Sequence, residues 1–308
     1  MKSVRWGKWQ FVPGDWTPSP AALAETLDGG QAFRWFRPTE PSVVGGPGEG
    51  GAPATPEPVW TGVWGDCVAQ LRQRAQMEWR APAQGPARTA EELPRYLGLD
   101  CDWRAHEDQL PWRSDPHLAE CLRAFPGLRL LRQPFGETLL GFLCSATKQI
   151  VQIKQMLALL AERHGAEIAP GFSRLPTWGE LAMTPEADLR DCRLGFRARF
   201  IHQTARLLAE HPCWMDETEQ MPYAAAKERL LSLPGVGEKV ADCVLLFGAG
   251  RLEAFPVDTW MLKSLARRYR LAEWKPAQLA QFGRAHFGPG AGLAQQYLFA
   301  WERKFGGR

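Results

Sequence analysis

Apolar and polar positions change their rhythm once along this chain. Up to about residue 80 the apolar side chains fall in short runs with partial two-residue alternation: "AFRWFR" (32–37), "VWTGVW" (59–64), "CVAQLRQR" (67–74) and "MEWR" (77–80). That is the period of strands. From about residue 106 they recur every three to four residues. This predicts helices over 115–125, 136–145, 149–163, 185–191, 197–210, 222–232, 239–248, 259–270, 276–286 and 291–304. The expected fold class is α+β, with an antiparallel β-rich N-terminal domain over 1–105 and a larger, all-helical domain over 106–308. Within the second, 222–248 reads as helix, tight turn, helix.

Two breaks interrupt the strand pattern. In 38–58, 11 of 21 residues are Pro or Gly, a composition that cannot bury a core and predicts a mobile loop inserted into a hairpin. A second break, "APAQGPARTAEELP" (81–94), leads out of the sheet. No internal repeat is present.

Composition adds limits. A chain of 308 residues with 45% hydrophobic and 23% charged positions is globular and long enough for two cores. The net charge is only +3, yet from Arg251 onward ten Lys/Arg face four acids. That tilt suits a polyanion, and equally a solvated helix face. The seven cysteines are scattered without a CxxC pair, against a disulfide framework and against closely spaced zinc or iron–sulfur ligands. The N-terminus shows no apolar leader and no run reaches about 18 apolar residues. A reducing cytoplasm is the expected setting, at the nucleoid if the source is bacterial, with no membrane partner.

The chemistry concentrates in "LPGVGEKVADC" (233–243). Pro234 stops one helix, and Gly235 and Gly237 permit a sharp turn. The next helix then opens with free N–H groups suited to a phosphate, although a plain corner between helices reads the same way. Lys239 sits at that mouth, where the helix dipole disfavours a protonated amine. Nineteen residues on, Asp258 precedes a helical pattern at an N-cap position. It is either a structural cap or a carboxylate that converges with the lysine. An attacking amine beside a carboxylate that stabilises cationic sugar is a workable pair.

"LPGVGEKVADC" with "PVD" (256–258) resembles the helix-hairpin-helix–Gly/Pro–Asp superfamily of base-excision DNA glycosylases. Four further stretches are similar, in the same order, to 8-oxoguanine DNA glycosylases of the eukaryotic type: "GGQAFRWF" (29–36), "GLRLLRQPFGETLLGFLCSATKQI" (127–150), "LGFRARF" (194–200) and "AGLAQQYLFAW" (291–301). The resemblance covers about 28 to 301. It implies that Asp258 promotes base loss, that Lys239 forms a Schiff base with the sugar, and that β-elimination then nicks the strand. Gly30 would meet N7–H of the lesion through its carbonyl, since guanine has an acceptor there and 8-oxoguanine a donor. Gln295 would bond the Watson–Crick edge, and Phe299 and Cys243 would sandwich the base. Arg197 would read the orphaned cytosine, and Gly235 and Gly237 would approach the backbone.

Departures from the family pattern fall on the opposite-base side. Thr147 stands where an asparagine fills the gap left by the flipped base, and Gln152 replaces a second reading arginine. Phe196 replaces a wedge tyrosine, and Trp260 a phosphate-contacting histidine. Weakened discrimination of the opposite base is therefore expected. The partner implied is double-stranded DNA containing oxidised guanine, bound by a monomer. No cofactor is required for the chemistry and no metal-ligating side chains stand out, although hairpins of the family can hold a cation through carbonyls of the turn. The iron–sulfur branch of the superfamily is disfavoured because no cysteine follows Cys243. The alkylation-repair branch normally lacks the lysine. A non-catalytic DNA-binding protein is the rival of another class, and the pairing of Lys239 with Asp258 speaks against it.

Overall fold

Residues 4–37, 57–85 and 87–306 are described in the computed structural model, so residues 38–56 of the Pro/Gly segment lie outside the described residues. The N-terminal part contains β1 (Gln10–Phe11), α1 (Pro20–Asp28), β2 (Trp35–Phe36), β3 (Val59–Trp64), β4 (Cys67–Gln73), β5 (Met77–Arg80) and α2 (Arg88–Tyr96). Then follow α3 (Trp103–Gln109), α4 (Pro116–Ala124), α5 (Phe135–Leu143), α6 (Ile150–His164), a small hairpin of β6 (Glu167–Ala169) and β7 (Phe172–Ser173), α7 (Trp178–Met183) and α8 (Glu186–Leu189). A π-turn (Arg190–Leu194) leads into α9 (Arg197–Glu210), α10 (Trp214–Gln220), α11 (Tyr223–Leu231), α12 (Glu238–Phe247), α13 (Thr259–Arg268), α14 (Pro276–Phe287) and α15 (Ala291–Phe305).

The five-stranded sheet runs β1-β5-β4-β3-β2, antiparallel throughout. β3 and β4 meet at a two-residue turn whose first residue, Gly65, has φ 47, as tight hairpins require. Burial along β3 does not alternate, because both faces are covered. One face packs Trp35, Trp60, Trp64, Leu71 and Trp79 against α1 and α2. The other sets Val63 and Val68 against Ala169 and Phe172 of the β6–β7 hairpin. Gly62 makes room for Trp35, whose ring lies about 2.5 Å from where a Cβ would stand, and whose indole N–H donates to Tyr96 Oη at 2.9 Å.

Strands β2 to β5 and the long helices agree with the hydrophobic rhythm. Strand β1 and five helices, α1, α2, α3, α7 and α10, do not appear in it. α1 lies inside the stretch read as β-rich, and is defined by Ser19, whose Oγ accepts from Ala22 N–H at 3.1 Å, with Pro20 at the first helical position. α2 occupies the break at 81–94, masked by the proline it carries at Pro94. α7 and α10 are about two turns each, too short to show a period. The helical part also carries the β6–β7 hairpin, whose strands of three and two residues are below the length at which alternation is legible.

A larger core fills the space between the helices, centred on α12 and α15, and it takes in Ala22 of α1 and Phe33. The C-terminal half of α1 is pinned to the helical part: Glu25 accepts two bonds from Arg303 of α15 at 2.7 and 2.8 Å, and Asp28 pairs with Lys154 of α6 at 2.6 Å. Gln31, 1% exposed, then bonds Arg129 O and Leu131 N at 2.9 and 2.8 Å. The stretch carrying Gly30 is thereby held against the helices. No helix among the described residues is long and apolar enough to cross a membrane.

Candidate active site

The hairpin of α11 and α12 is locked from within. Asp242, 1% exposed, accepts from Tyr223 Oη at 2.6 Å and from Lys227 Nζ at 3.0 Å, tying one helix to the other. Burial pushes its carboxyl up, against the pull of Lys227. Between the helices, Gly235 takes φ 78 and leaves only 2.8 Å between a would-be Cβ and the Phe200 ring, so glycine is required there. Gly237 is different from expectation: its backbone is extended (φ −103, ψ −179) and a Cβ would meet nothing within 4 Å. The sharp turn rests on Gly235, and Gly237 leaves open space at the mouth of α12.

Lys239, in the first turn of α12, reaches across to the end of α5. Its Nζ donates to Ser145 Oγ at 3.1 Å and lies 4.8 Å from the centroid of the Phe142 ring. Asp258 caps α13, its Oδ1 accepting from Trp260 N–H at 3.0 Å and Met261 N–H at 2.9 Å. Burial pushes the Asp258 carboxyl up, opposed by the Met261 N–H and by the charge of Lys239. Both readings of Asp258 therefore hold together: it is the cap, and it feels the lysine.

Amine and carboxylate line one cleft of about 930 Å³, within the range of small-ligand sites. Gly30, Cys243, Gln295 and Phe299 line it too, as do Thr147, Gly235, Gly237 and Trp260. Gly30 has φ 104, and a Cβ there would stand 2.9 Å from Ile150 Cδ1 and 3.8 Å from Phe299 Cζ. Only glycine lets the chain run this close to the wall. Cys243 is buried, and burial pushes its thiol up to about 12, so it presents a protonated, apolar surface. Gln295 is 4% exposed and its Oε1 has no partner among the described residues. A buried carboxamide oxygen without a partner costs stability unless a ligand supplies the donor.

The opposite-base group is not brought together in the same way. Arg197 is 3% exposed and turned inward: Nε donates to Ala146 O at 3.1 Å, Nη1 to Leu194 O at 3.1 Å, and Nη2 to Ala146 O and, at 3.0 Å, to Thr147 Oγ1. Burial pushes its pKa down. Thr147 itself has φ 54, a left-handed conformation costing a β-branched residue about 1–2 kcal/mol. Phe196 is 53% exposed, its ring 4.3 Å beneath the Arg197 guanidinium. Gln152 is exposed outside the cleft lining and accepts from Gln149 N–H at 3.2 Å, in the first turn of α6. Trp260 lines the cleft with an indole at the position of the family's phosphate-contacting histidine, and the charge beside it is Lys263, 5.0 Å from its ring.

Sequence reasoning missed Ser145, Phe142, Ile150 and Gln296. All four line the cleft, and Gln296 holds its Nε2 buried without a partner among the described residues. Ser145 and Lys239 are 94 positions apart, so no spacing rule connects them. The basic excess after Arg251 is partly turned inward: Arg251 bonds Met221 O, Arg267 pairs with Glu302, and Arg303 with Glu25. Among the described residues no cluster of three His, Cys, Asp or Glu could hold a metal ion.

Known proteins resemble this chain over most of its length. The profile of the HhH-GPD superfamily of base excision DNA repair proteins matches residues 140–285, and that of the 8-oxoguanine DNA glycosylase N-terminal domain matches residues 16–139. The class is thus that of helix-hairpin-helix repair proteins. A probable N-glycosylase/DNA lyase of Methanothermobacter thermautotrophicus is 41% identical over 78% of this chain and 84% of its own. The N-glycosylase/DNA lyase OGG1 of Arabidopsis thaliana is 32% identical over 98% of this chain and 83% of its own. The chain belongs to the 8-oxoguanine N-glycosylase/DNA lyase family. Among solved structures, the Clostridium acetobutylicum 8-oxoguanine glycosylase/lyase, in complex with double-stranded DNA containing cytosine opposite 8-oxoguanine, superposes with a TM-score of 0.79. It is 27% identical over 92% of this chain and 91% of that one.

Proposed function

We propose that the protein flips 8-oxoguanine out of duplex DNA, removes it, and opens the strand, with Lys239 as nucleophile and Asp258 as the charge-stabilising carboxylate. One observation carries the reading: an amine and a carboxylate from different helices meet in a single cleft with Gly30, the unpartnered Gln295 and Phe299.

The lesion leaves the stack at a cost of a few kcal/mol, offset by pocket contacts and by the exposed Phe196 ring entering the stack. The Gly30 carbonyl accepts from N7–H, a bond that guanine cannot offer. Gln295 faces the Watson–Crick edge, and Phe299 and the Cys243 thiol close on the two faces. As the N-glycosidic bond breaks, its electron pair leaves with the base, which takes up a proton. Asp258 holds the positive charge developing on the sugar, and the Lys239 lone pair bonds C1′. Ring opening gives an iminium; loss of a proton from C2′ then expels the 3′ phosphate, which is the nick. The open face at Gly237 and the free N–H groups of α12 suit a backbone phosphate.

The reaction draws on the chain's own groups alone, needs no cofactor and is complete in one monomer. A cation at the hairpin turn would be held through backbone oxygens such as those of Leu233 and Pro234, which accept from Val236 N–H and Thr204 Oγ1 and each keep a second lone pair. No step is routed through such an ion. Borohydride trapping on a duplex with 8-oxoguanine opposite cytosine is the test. The wild type is expected to give a covalent adduct and Lys239→Gln none. Tight lesion binding without an adduct from the wild type would refute the bifunctional reading and leave a monofunctional enzyme or a damage sensor.

A further inference from the structure

We infer that Ser145 is a positioning residue for the Lys239 amine, and that the Ser145–Ala146–Thr147 segment makes its hold depend on where Arg197 is engaged. The inference rests on the proposed roles of Lys239 as nucleophile and Arg197 as the arginine that meets the unpaired base.

Three contacts form a continuous line. Ser145 Oγ gives its one proton to Phe142 O at 2.6 Å, so toward Lys239 Nζ, 3.1 Å away, it can only accept. The Phe142 ring face lies against the same amine. A hydroxyl lone pair and an aromatic face both attract an ammonium group. This is a berth for the resting lysine, and attack on C1′ requires the amine to leave it with its lone pair free.

The next residue, Ala146, presents its carbonyl to Nε and Nη2 of Arg197, and Thr147 Oγ1 takes Nη2 as well. Arg197 forms no ion pair among the described residues; its partners are the Ala146 and Leu194 carbonyls and the Thr147 hydroxyl. Thr147 is held left-handed at φ 54, a state that a β-branched residue leaves when its restraint is removed.

The two ends are therefore linked. Without an unpaired base, Arg197 stays on Ala146 and Thr147, the segment stays strained, and Ser145 keeps the amine in its berth. When Arg197 turns out to a base it gives up those acceptors, Thr147 relaxes, and Ser145, two residues back in the same irregular segment, shifts away from Lys239. Engagement of the opposite strand is reported to the nucleophile through three residues.

The experiment compares single-turnover borohydride trapping on 8-oxoguanine opposite cytosine and opposite a tetrahydrofuran abasic analogue, which gives Arg197 nothing to meet. The wild type is expected to trap faster opposite cytosine by roughly five- to tenfold, the lower range of coupling between sites. Ser145→Ala should bring the ratio to within about twofold by raising the rate opposite the analogue. Ser145→Thr, which keeps the hydroxyl, should restore it. Thr147→Asn relieves the strain at an exposed position, because asparagine tolerates left-handed backbone, and should flatten the ratio with Ser145 intact. A wild-type ratio of one overturns the coupling. So does Ser145→Ala slowing both duplexes equally, or an unchanged ratio in Thr147→Asn should the alanine variant not fold. A wild type that traps on neither duplex refutes the proposed function instead.

Discussion

Asp258 performs two duties that pull against each other. As the cap of α13 it accepts two backbone N–H groups, which an asparagine oxygen does equally well. As a charge in a half-buried cleft it sits in an environment that pushes its carboxyl up, chiefly by burial. The folded state thus binds this proton more tightly than the unfolded chain. Near neutral pH the ionised group carries a stability penalty, and the penalty is relieved as pH falls through the folded pKa. Asp258→Asn should therefore lower base excision by roughly 10²–10³-fold, in line with loss of one electrostatic stabiliser. Its melting temperature should be unchanged or slightly higher in calorimetry. In the wild type the acid limb of the excision rate should fall off at higher pH than a free aspartate would give, because the proposed role of Asp258 needs the ionised form. Lys239, Asp258 and Gly30 were legible in the sequence because the signals for them are local: a helix mouth, a cap and a glycine. Ser145 and Phe142 were not, because their relation to Lys239 exists only once α5 packs against α12.

On the proposed function, the segment between α5 and α6 governs how the opposite strand is read. Gln152 belongs to the first turn of α6, where its side chain meets the Gln149 N–H, which leaves Arg197 as the arginine proposed to meet an orphaned base. A single donor fork discriminates poorly among bases that all present acceptors. Cleavage of 8-oxoguanine opposite C, A, G and T should accordingly differ by no more than roughly tenfold, about 1.4 kcal/mol; a strong preference for cytosine would contradict this. Elements of nine or more residues with full periodicity, such as α6, α9 and α15, were legible from the hydrophobic rhythm. The two-residue strands β1 and β2 and the short helices α7 and α10 fall within one or two periods, so tertiary contact rather than pattern defines them. The inward turn of Arg197 was also illegible, since a buried arginine facing carbonyls without a carboxylate has no sequence signature.

Across the whole molecule, α1 ties the sheet half to the helical half. It belongs in sequence to the sheet half, yet its ion pairs reach α6 and α15, and the glycine that follows it lines the cleft. Glu25→Gln removes the charge from the pair with Arg303, whose two short bonds are half-buried. It should cost about 1–3 kcal/mol of stability. Lesion affinity should weaken with it, as the Gly30 stretch loosens; thermal denaturation and binding to an 8-oxoguanine duplex measure the two effects. That two halves differing in hydrophobic rhythm share a core through Ala22 and Phe33 could not be read from either half alone.

The buried cysteine in the cleft has a consequence for the conditions in which oxidised guanine arises. Peroxide attacks thiolates, and susceptibility follows thiolate character and exposure. Burial pushes the Cys243 thiol up to about 12, whereas Cys213 is exposed, so peroxide is expected to modify Cys213 before Cys243, an order that mass mapping after peroxide treatment checks. On the proposed function, that order leaves the lesion pocket intact under the oxidative stress that creates its substrate.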